Sequence, residues 1–103
     1  MDALEQEVYR TVELYERLSG RPATRTRALL ESMSVRDALS QLMTSADLQQ
    51  GFKQFRDAGK MEESFEAIVV RHADLFEEAT VIAARWRLEH SYDLSDKKTK
   101  PQN

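Results

Sequence analysis

Hydrophobic residues recur along this chain at spacings of three and four, the period of an α-helix that is buried on one face. The first and longest such segment carries an apolar stripe made of Leu4, Val8, Val12, Tyr15 and Leu18. The sequence Ser19-Gly20-Arg21-Pro22 ends this helix, because glycine permits a left-handed C-cap and proline cannot continue a helix. No stretch alternates apolar and polar residues in the manner of a strand.

Five further helices follow from the same periodicity and from candidate N-cap residues. We predict them from about Thr24 to Met33, after Ser34, after Thr44-Ser45-Ala46-Asp47, from Ser64 to Arg71, and from near Glu77 to near Tyr92. Ser34 and Asp37 have the spacing of a capping box. The expected inward residues are Ala28, Leu29, Leu30 and Met33; Val35, Ala38, Leu39 and Leu42; Leu48, Phe52 and Phe55; Phe65, Ile68 and Val69; and Ala79, Ile82, Ala83 and Trp86.

This pattern predicts an all-α fold, a compact irregular bundle of about six short helices. A chain of 103 residues is one domain by the usual size of domains. We expect residues 1–94 to form this single helical domain. Residues 95–103 contain no apolar side chain and are expected to form a disordered basic tail.

The amino-acid composition excludes several kinds of chemistry and indicates a cellular compartment. The chain has no cysteine, which excludes disulfides, thiolate nucleophiles and thiolate metal sites. Its acidic N-terminus does not resemble a signal peptide. The longest apolar run, Ala67-Ile68-Val69-Val70, is too short to span a membrane. We therefore expect a cytoplasmic protein that does not insert into membranes.

The net charge of -3 conceals an uneven distribution of charge. Residues 10–36 hold six arginines against three glutamates, whereas residues 62–78 hold six acidic residues against Arg71. Either these are the solvated faces of separate helices, or they form a bipolar surface that orients a partner.

From about Leu29 to Glu89 the chain resembles a family of small bacterial helical proteins without assigned function. The resemblance rests on Gly51-Phe52, Phe55, Gly59, the block from Ser64 to Val70, Leu75-Phe76 and Ala84-Arg85-Trp86-Arg87-Leu88-Glu89. The chain departs from the family pattern at Lys60-Met61, and Ser64 replaces the usual threonine. The resemblance implies a helical fold and an accessory role, in a family whose members are sometimes carried on mobile elements such as integron cassettes and phages.

No catalytic or metal-binding pattern stands out. Neither His72 nor His90 has the spacing of a helical metal motif. A site of His72 with Asp74 and Glu66 is conceivable, but Glu66 lies almost two turns before His72. There is no Gly-x-Ser-x-Gly elbow and no glycine-rich phosphate loop. We therefore expect a protein that is not an enzyme and needs no metal or cofactor.

An arginine cluster supports nucleic-acid binding as the alternative function. Arg21, Arg25 and Arg27 surround the start of the second helix, where backbone amides add positive potential for a phosphate. The acidic pI of about 5.4 argues against a dedicated DNA-binding protein.

The first helix offers a different function, association with another protein. Its stripe of Leu4, Val8, Val12, Tyr15 and Leu18 either packs inside the bundle or forms a homodimer interface. The large aromatic residues Phe52, Phe55, Phe65, Phe76 and Trp86 are interpreted as core. We expect an accessory protein that acts by protein–protein association, as a homodimer or with another protein.

Overall fold

A computed structural model describes residues 2–91 of the chain, and for residues 46–49 it describes the main chain only. The fold is all-α, and no strand occurs in the described range. The six helices are α1 (Ala3–Ser19), α2 (Thr24–Ser32), α3 (Val35–Leu42), α4 (Ala46–Asp57), α5 (Phe65–Arg71) and α6 (Glu78–Glu89), with 3-10 turns at Met61–Glu63 and Ala73–Leu75. The predicted bundle of about six helices is confirmed. The predicted tail and the side chain of Leu48 lie outside the described residues. Helix α6 ends at Glu89, three residues before the predicted end near Tyr92.

Local signals fix both ends of α1. The side chain of Asp2 accepts a hydrogen bond of 2.9 Å from the amide of Glu5, and the amide of Asp2 donates one of 3.1 Å to the carboxylate of Glu5. This reciprocal capping box satisfies two amides that have no partner within the helix. At the other end Gly20 has a φ of 74° and donates to the carbonyl of Glu16, so that the left-handed C-cap forms as predicted.

Serine side chains start α3 and α5, as their spacing predicts. Ser34 accepts a hydrogen bond from the amide of Asp37 at 3.1 Å. Ser64 accepts from the amide of Ala67 at 3.2 Å and donates to the carbonyl of Met61 at 2.7 Å. Because Ser64 is completely buried, these two bonds are what satisfies its hydroxyl group.

The core lies where α1 crosses α3, α4 and α5, while α6 packs mainly along α5. The buried residues of this core come from α1, α2, α3, α5 and α6. Phe52 and Phe55 of α4 are also buried but do not belong to the same cluster. The central side chains of the cluster are Leu4, Val8, Val12, Leu30, Leu39, Met43, Ile68 and Val69.

Polar side chains of α1 tie this helix to the second half of the chain. Thr11 donates a hydrogen bond of 2.7 Å to the carbonyl of Glu63. The carboxylate of Glu7 accepts from Arg71 and pairs with Nε2 of His72, each at 2.9 Å. The N-terminal helix is therefore fixed to α5 by packing and by these contacts.

Fewer residues of α2 are buried than predicted. Leu30 is buried and Leu29 and Met33 are half-buried, but Ala28 is exposed, so its predicted inward position is wrong. The helix has only nine residues and packs mainly on α3, so that it cannot bury a wide face.

The predicted inward face of α6 is wrong for three of its four residues, since only Ala83 packs, half-buried, against the core. Ile82 is 57% exposed, Trp86 is 48% exposed, and Ala79 is also exposed. The residues buried instead are Thr80, Val81, Ala84 and Arg87. This orientation allows Arg87 to form a buried ion pair with Glu66 of α5.

No helix in the described part of the chain combines the length and the apolar character that crossing a membrane requires.

Gly51 lies in the interior of α4 and not at a turn. A Cβ atom added there would meet the ring of Tyr15 at 3.7 Å, an ordinary van der Waals distance. We expect Gly51→Ala to raise the free energy of unfolding by about 0.5–1 kcal/mol, because alanine loses less backbone entropy in a helix. Urea unfolding followed by circular dichroism measures this.

Gly59 provides the control for that substitution. Its φ is +72°, and nothing lies within 4 Å of an added Cβ. Gly59→Ala is therefore expected to destabilise the fold by about 1 kcal/mol through backbone strain alone. A Gly51→Ala variant less stable than the wild type would contradict the helical placement of Gly51.

Candidate functional site

A buried ion pair connects α5 and α6. Glu66, in the first turn of α5, has no exposed surface, and Arg87 of α6 is 8% exposed. Nη1 of Arg87 donates to Oε2 of Glu66 at 2.8 Å, and Nη2 donates to the carbonyl of Met43 at 2.6 Å. The guanidinium group thus joins α6 to α5 and to the end of α3.

The second carboxylate oxygen of Glu66 has no such partner. Oε1 is buried and makes no hydrogen bond within the described structure. Burial raises the pKa of Glu66, against the lowering effects of Arg87 and of a hydrogen bond from the backbone amide of Glu66 itself. A buried acceptor left without a donor destabilises the fold.

Glu66 lines a cavity of about 570 Å³ between α1, α2, α3, α4 and α5. Its walls are mostly apolar and aromatic and include Val12, Tyr15, Leu29, Leu42, Phe52, Phe55 and Phe65. The rings of Tyr15 and Phe55 lie 6.5 Å apart at an angle of 37°. A concave apolar site of this size with a polar group in its lining is typical of small-molecule sites.

Exposed residues mark the edge of this cavity. Arg21, Pro22, Thr24 and Arg25, all exposed, line it near the start of α2. Helix α2 begins without a side-chain cap and without an acidic residue in its first turn. Its N-terminal amides therefore add positive potential at the edge where two arginines lie.

The third arginine of the predicted cluster has another partner. Arg27 donates to both oxygens of Glu16, from Nη2 at 2.7 Å and from Nε at 2.8 Å. Glu16 also accepts from the amide of Ala23 at 2.8 Å. This carboxylate holds the turn between α1 and α2 in place. Of the predicted anion-binding residues, Arg21 and Arg25 lie together at the cavity and Arg27 is bound to Glu16.

The predicted dimer stripe lies mostly inside the single chain. Leu4, Val8 and Val12 are at most 6% exposed and belong to the core, while Tyr15 and Leu18 are half-buried. The stripe therefore packs within the bundle, as the alternative interpretation of the sequence expects. Homodimerisation stays a prediction, but it needs a different surface.

Helix α6 exposes two large apolar side chains. Ile82 and Trp86 lie one turn apart and are the most exposed large apolar residues in the described range. The indole of Trp86 stacks on the ring of His90, with centroids 4.3 Å apart and planes 14° apart. Nδ1 of His90 donates to the carbonyl of Trp86 at 2.8 Å, which holds the two rings together.

The conceivable metal site is not assembled. Glu66 is paired with Arg87, and His72 is paired with Glu7. Over residues 2–91, apart from the side chains left undescribed, no three histidine or acidic side chains gather in a way that could hold a metal ion.

Comparisons with known proteins give no assignment. No family model matches the chain, and no curated protein or solved structure is significantly similar to it. The resemblance to a bacterial family stays a prediction.

Removing one partner of the buried pair should destabilise the fold strongly. Arg87→Met leaves the carboxylate of Glu66 buried without compensation, and we expect a loss of about 3–5 kcal/mol in the free energy of unfolding. The double variant Glu66→Leu with Arg87→Met should recover most of this loss, because two apolar side chains replace two paired charges. Urea unfolding measures both variants.

Arg85→Met is the matched control on the same helix. Arg85 is exposed, so this change should alter stability by no more than about 0.5 kcal/mol. Equal losses from Arg85→Met and Arg87→Met would show that the buried pair does not organise α6.

The pair of Glu16 and Arg27 should be visible in the acid titration of the protein. The hydrogen bonds from Arg27 and from the amide of Ala23 lower the pKa of Glu16 from 4.5 to about 2. Because this pKa is lower in the folded chain, the pair stabilises the fold above pH 4.5 and loses that effect as the pH falls towards 2.

Carboxyl NMR measures the pKa of Glu16 directly. Arg27→Gln should raise it towards its ordinary value, whereas Arg10→Gln, an exposed change on α1, should leave it unchanged. An ordinary pKa for Glu16 in the wild type would contradict the geometry of this turn.

Proposed function

We propose that the protein acts by self-association and that the exposed face of α6 is the surface through which two copies bind. The observation that carries the proposal is the exposure of Ile82 and Trp86, one turn apart on a helix whose opposite face is buried. Tryptophan is enriched among the residues that dominate binding energy at protein interfaces. Two large apolar side chains exposed side by side on one helix face form a candidate surface for binding a partner.

The pattern of this face favours a second copy as the partner. Ala79 and Trp86 are seven residues apart, and so are Glu78 and Arg85, with Ile82 within half a residue of the midpoint of each interval. Seven residues are two helical turns, about 10.5 Å, so that each pair lies on one side of the helix. The face is thus arranged symmetrically about Ile82.

A two-fold axis through Ile82 makes the face complementary to itself. Two antiparallel α6 helices would place Trp86 of each copy over the small Ala79 of the other. Glu78 of each copy would lie near Arg85 of the other, giving two ion pairs of opposite charge. The two Ile82 side chains would meet on the axis.

The expected dimer is weak. Helix α6 has twelve residues and so offers about 18 Å of length to the contact. Interfaces of this small size bind in a transient manner, with dissociation constants on the order of 10 μM or higher. The accessory role predicted from the sequence fits a protein that associates reversibly.

Sedimentation equilibrium tests the proposal over a range of protein concentrations. The wild type should approach the mass of two chains at high concentration. Ile82→Glu places two like charges on the axis and should give a monomer throughout. Ala28→Glu introduces the same side chain at an exposed alanine of α2 and should leave association unchanged.

Charge reversal tests the antiparallel arrangement. Glu78→Arg and Arg85→Glu should each weaken association, and the double variant should restore it, because the two ion pairs form again with exchanged signs. A wild type that stays monomeric, or a dimer insensitive to Ile82→Glu, would overturn the proposal.

A further inference from the structure

A second, smaller groove lies between the end of α3 and the start of α6. Its volume is about 360 Å³, at the lower end of the range found for sites that hold a small molecule. It is bordered by Ala79 and Ala83 of α6 and by Ser40 and Thr44 at the end of α3, all of them exposed or half-buried. Because these side chains are small and accessible, the groove is open to a group that enters from outside.

The groove adjoins the exposed face of α6. Ala79 and Ala83 are four residues apart, so that they lie on one side of the helix. Each of them is also three residues from an exposed apolar side chain, Ile82 or Trp86, and residues three apart are neighbours on a helix surface. The groove therefore opens beside the surface through which self-association is proposed.

Trp86 is the side chain of this face that suits such a groove. Its indole is 48% exposed, and its stack on His90 holds the ring in one orientation. A side chain that is already ordered loses little conformational entropy on binding. Trp86 does not line the groove of its own chain. The groove of one copy and the indole of another can therefore meet.

The charges beside the groove and beside the indole are opposite. Glu77 lines the groove, Glu78 follows it, and both are exposed. Arg85, which is also exposed, directly precedes Trp86. Insertion of Trp86 from one copy brings Arg85 to the acidic edge of the other, and opposite charges favour this approach. A second copy therefore matches the groove in charge as well as in shape.

The groove also offers acceptors for the indole N–H, a group that needs a partner when it is buried. The hydroxyl group of Thr44 donates to the carbonyl of Gln41 at 2.9 Å, which leaves the hydroxyl oxygen able to accept. The exposed side chain of Gln41 lines the same groove and carries an amide oxygen. Burial of the indole here does not leave its donor unsatisfied.

We propose that this groove receives the indole of Trp86 from a second copy, so that each copy of the dimer inserts its tryptophan between α3 and α6 of the other. The inference rests on the self-association proposed above, and it adds the end of α3 to the contact. An antiparallel pair with its two-fold axis at Ile82 has Trp86 of each copy over Ala79 of the other, and Ala79 borders the groove.

Isotope-filtered NMR on the wild type tests the position of the indole directly. In a mixture of labelled and unlabelled chains this experiment detects contacts between two copies alone. The chain has one tryptophan, so that every indole signal belongs to Trp86. We expect contacts from the indole to the methyl groups of Thr44 and Ala83. Contacts to Ala79 without these two would overturn the insertion.

Ser40→Leu fills the groove from α3 and leaves the exposed face of α6 unchanged. Sedimentation equilibrium should show that the dissociation constant of the dimer rises about tenfold or more, because the indole loses its site. Ser32→Leu introduces the same side chain at an exposed serine of α2 outside the groove and should leave the dissociation constant unchanged. Circular dichroism checks that both variants are folded.

A double-mutant cycle with Trp86→Ala connects the groove to the indole. Ser40→Leu should weaken association when Trp86 is present and have little further effect once Trp86 is replaced by alanine, because the two changes remove the same contact. Equal effects of Ser40→Leu in the two backgrounds would show that the groove does not hold the indole.

These measurements also distinguish the groove from the self-association on which it rests. A dimer that Ile82→Glu abolishes and Ser40→Leu does not weaken overturns the groove as the site of Trp86 and retains association through α6. A wild type that stays monomeric at all concentrations overturns both.

Discussion

The guanidinium group of Arg87 is buried, and the orientation of α6 depends on the acceptors that compensate its charge. This group reaches the carboxylate of Glu66 on α5 and the carbonyl of Met43 at the end of α3. Both acceptors are fixed in position, so that α6 can rotate about its axis only at the expense of a buried ion pair. This rotation places Ile82 and Trp86 outside. Glu66, the partner of Arg87, is also among the residues that line the cavity, so that the cavity and the exposed face of α6 both depend on this pair.

The helices themselves could be predicted from local features of the sequence. Each helix boundary at Gly20 with Pro22, at Ser34 and at Ser64 depends on hydrogen bonds between residues at most four positions apart. The local sequence is therefore sufficient to predict these boundaries. The orientation of α6 could not be predicted in this way. Apolar periodicity favours burial of Ile82 and Trp86, and the observed burial of Arg87 depends on Glu66, which is 21 residues away in the chain.

The candidate site was predictable only in part. The placement of Arg21 and Arg25 before and within the first turn of α2 could be read from the sequence, and both lie at the cavity. The engagement of Arg27 by Glu16 spans a turn of the chain and needs the path of that turn. The importance of Glu66 could have been recognised from the sequence. It is the one charged residue between Ser64 and Val70, and a charge within such an apolar stretch is found mainly where it has a partner or a function.

The exposed position of Trp86 also determines what the protein's intrinsic fluorescence reports. This is the one tryptophan of the chain, and its indole is nearly half in water and stacked on His90. Its emission in the folded protein is therefore already that of a hydrated indole, so that unfolding shifts its wavelength little. The same emission is sensitive to whatever covers or charges the surface of α6. In this protein tryptophan fluorescence follows the outer face of one helix, and the core must be followed by its helical backbone.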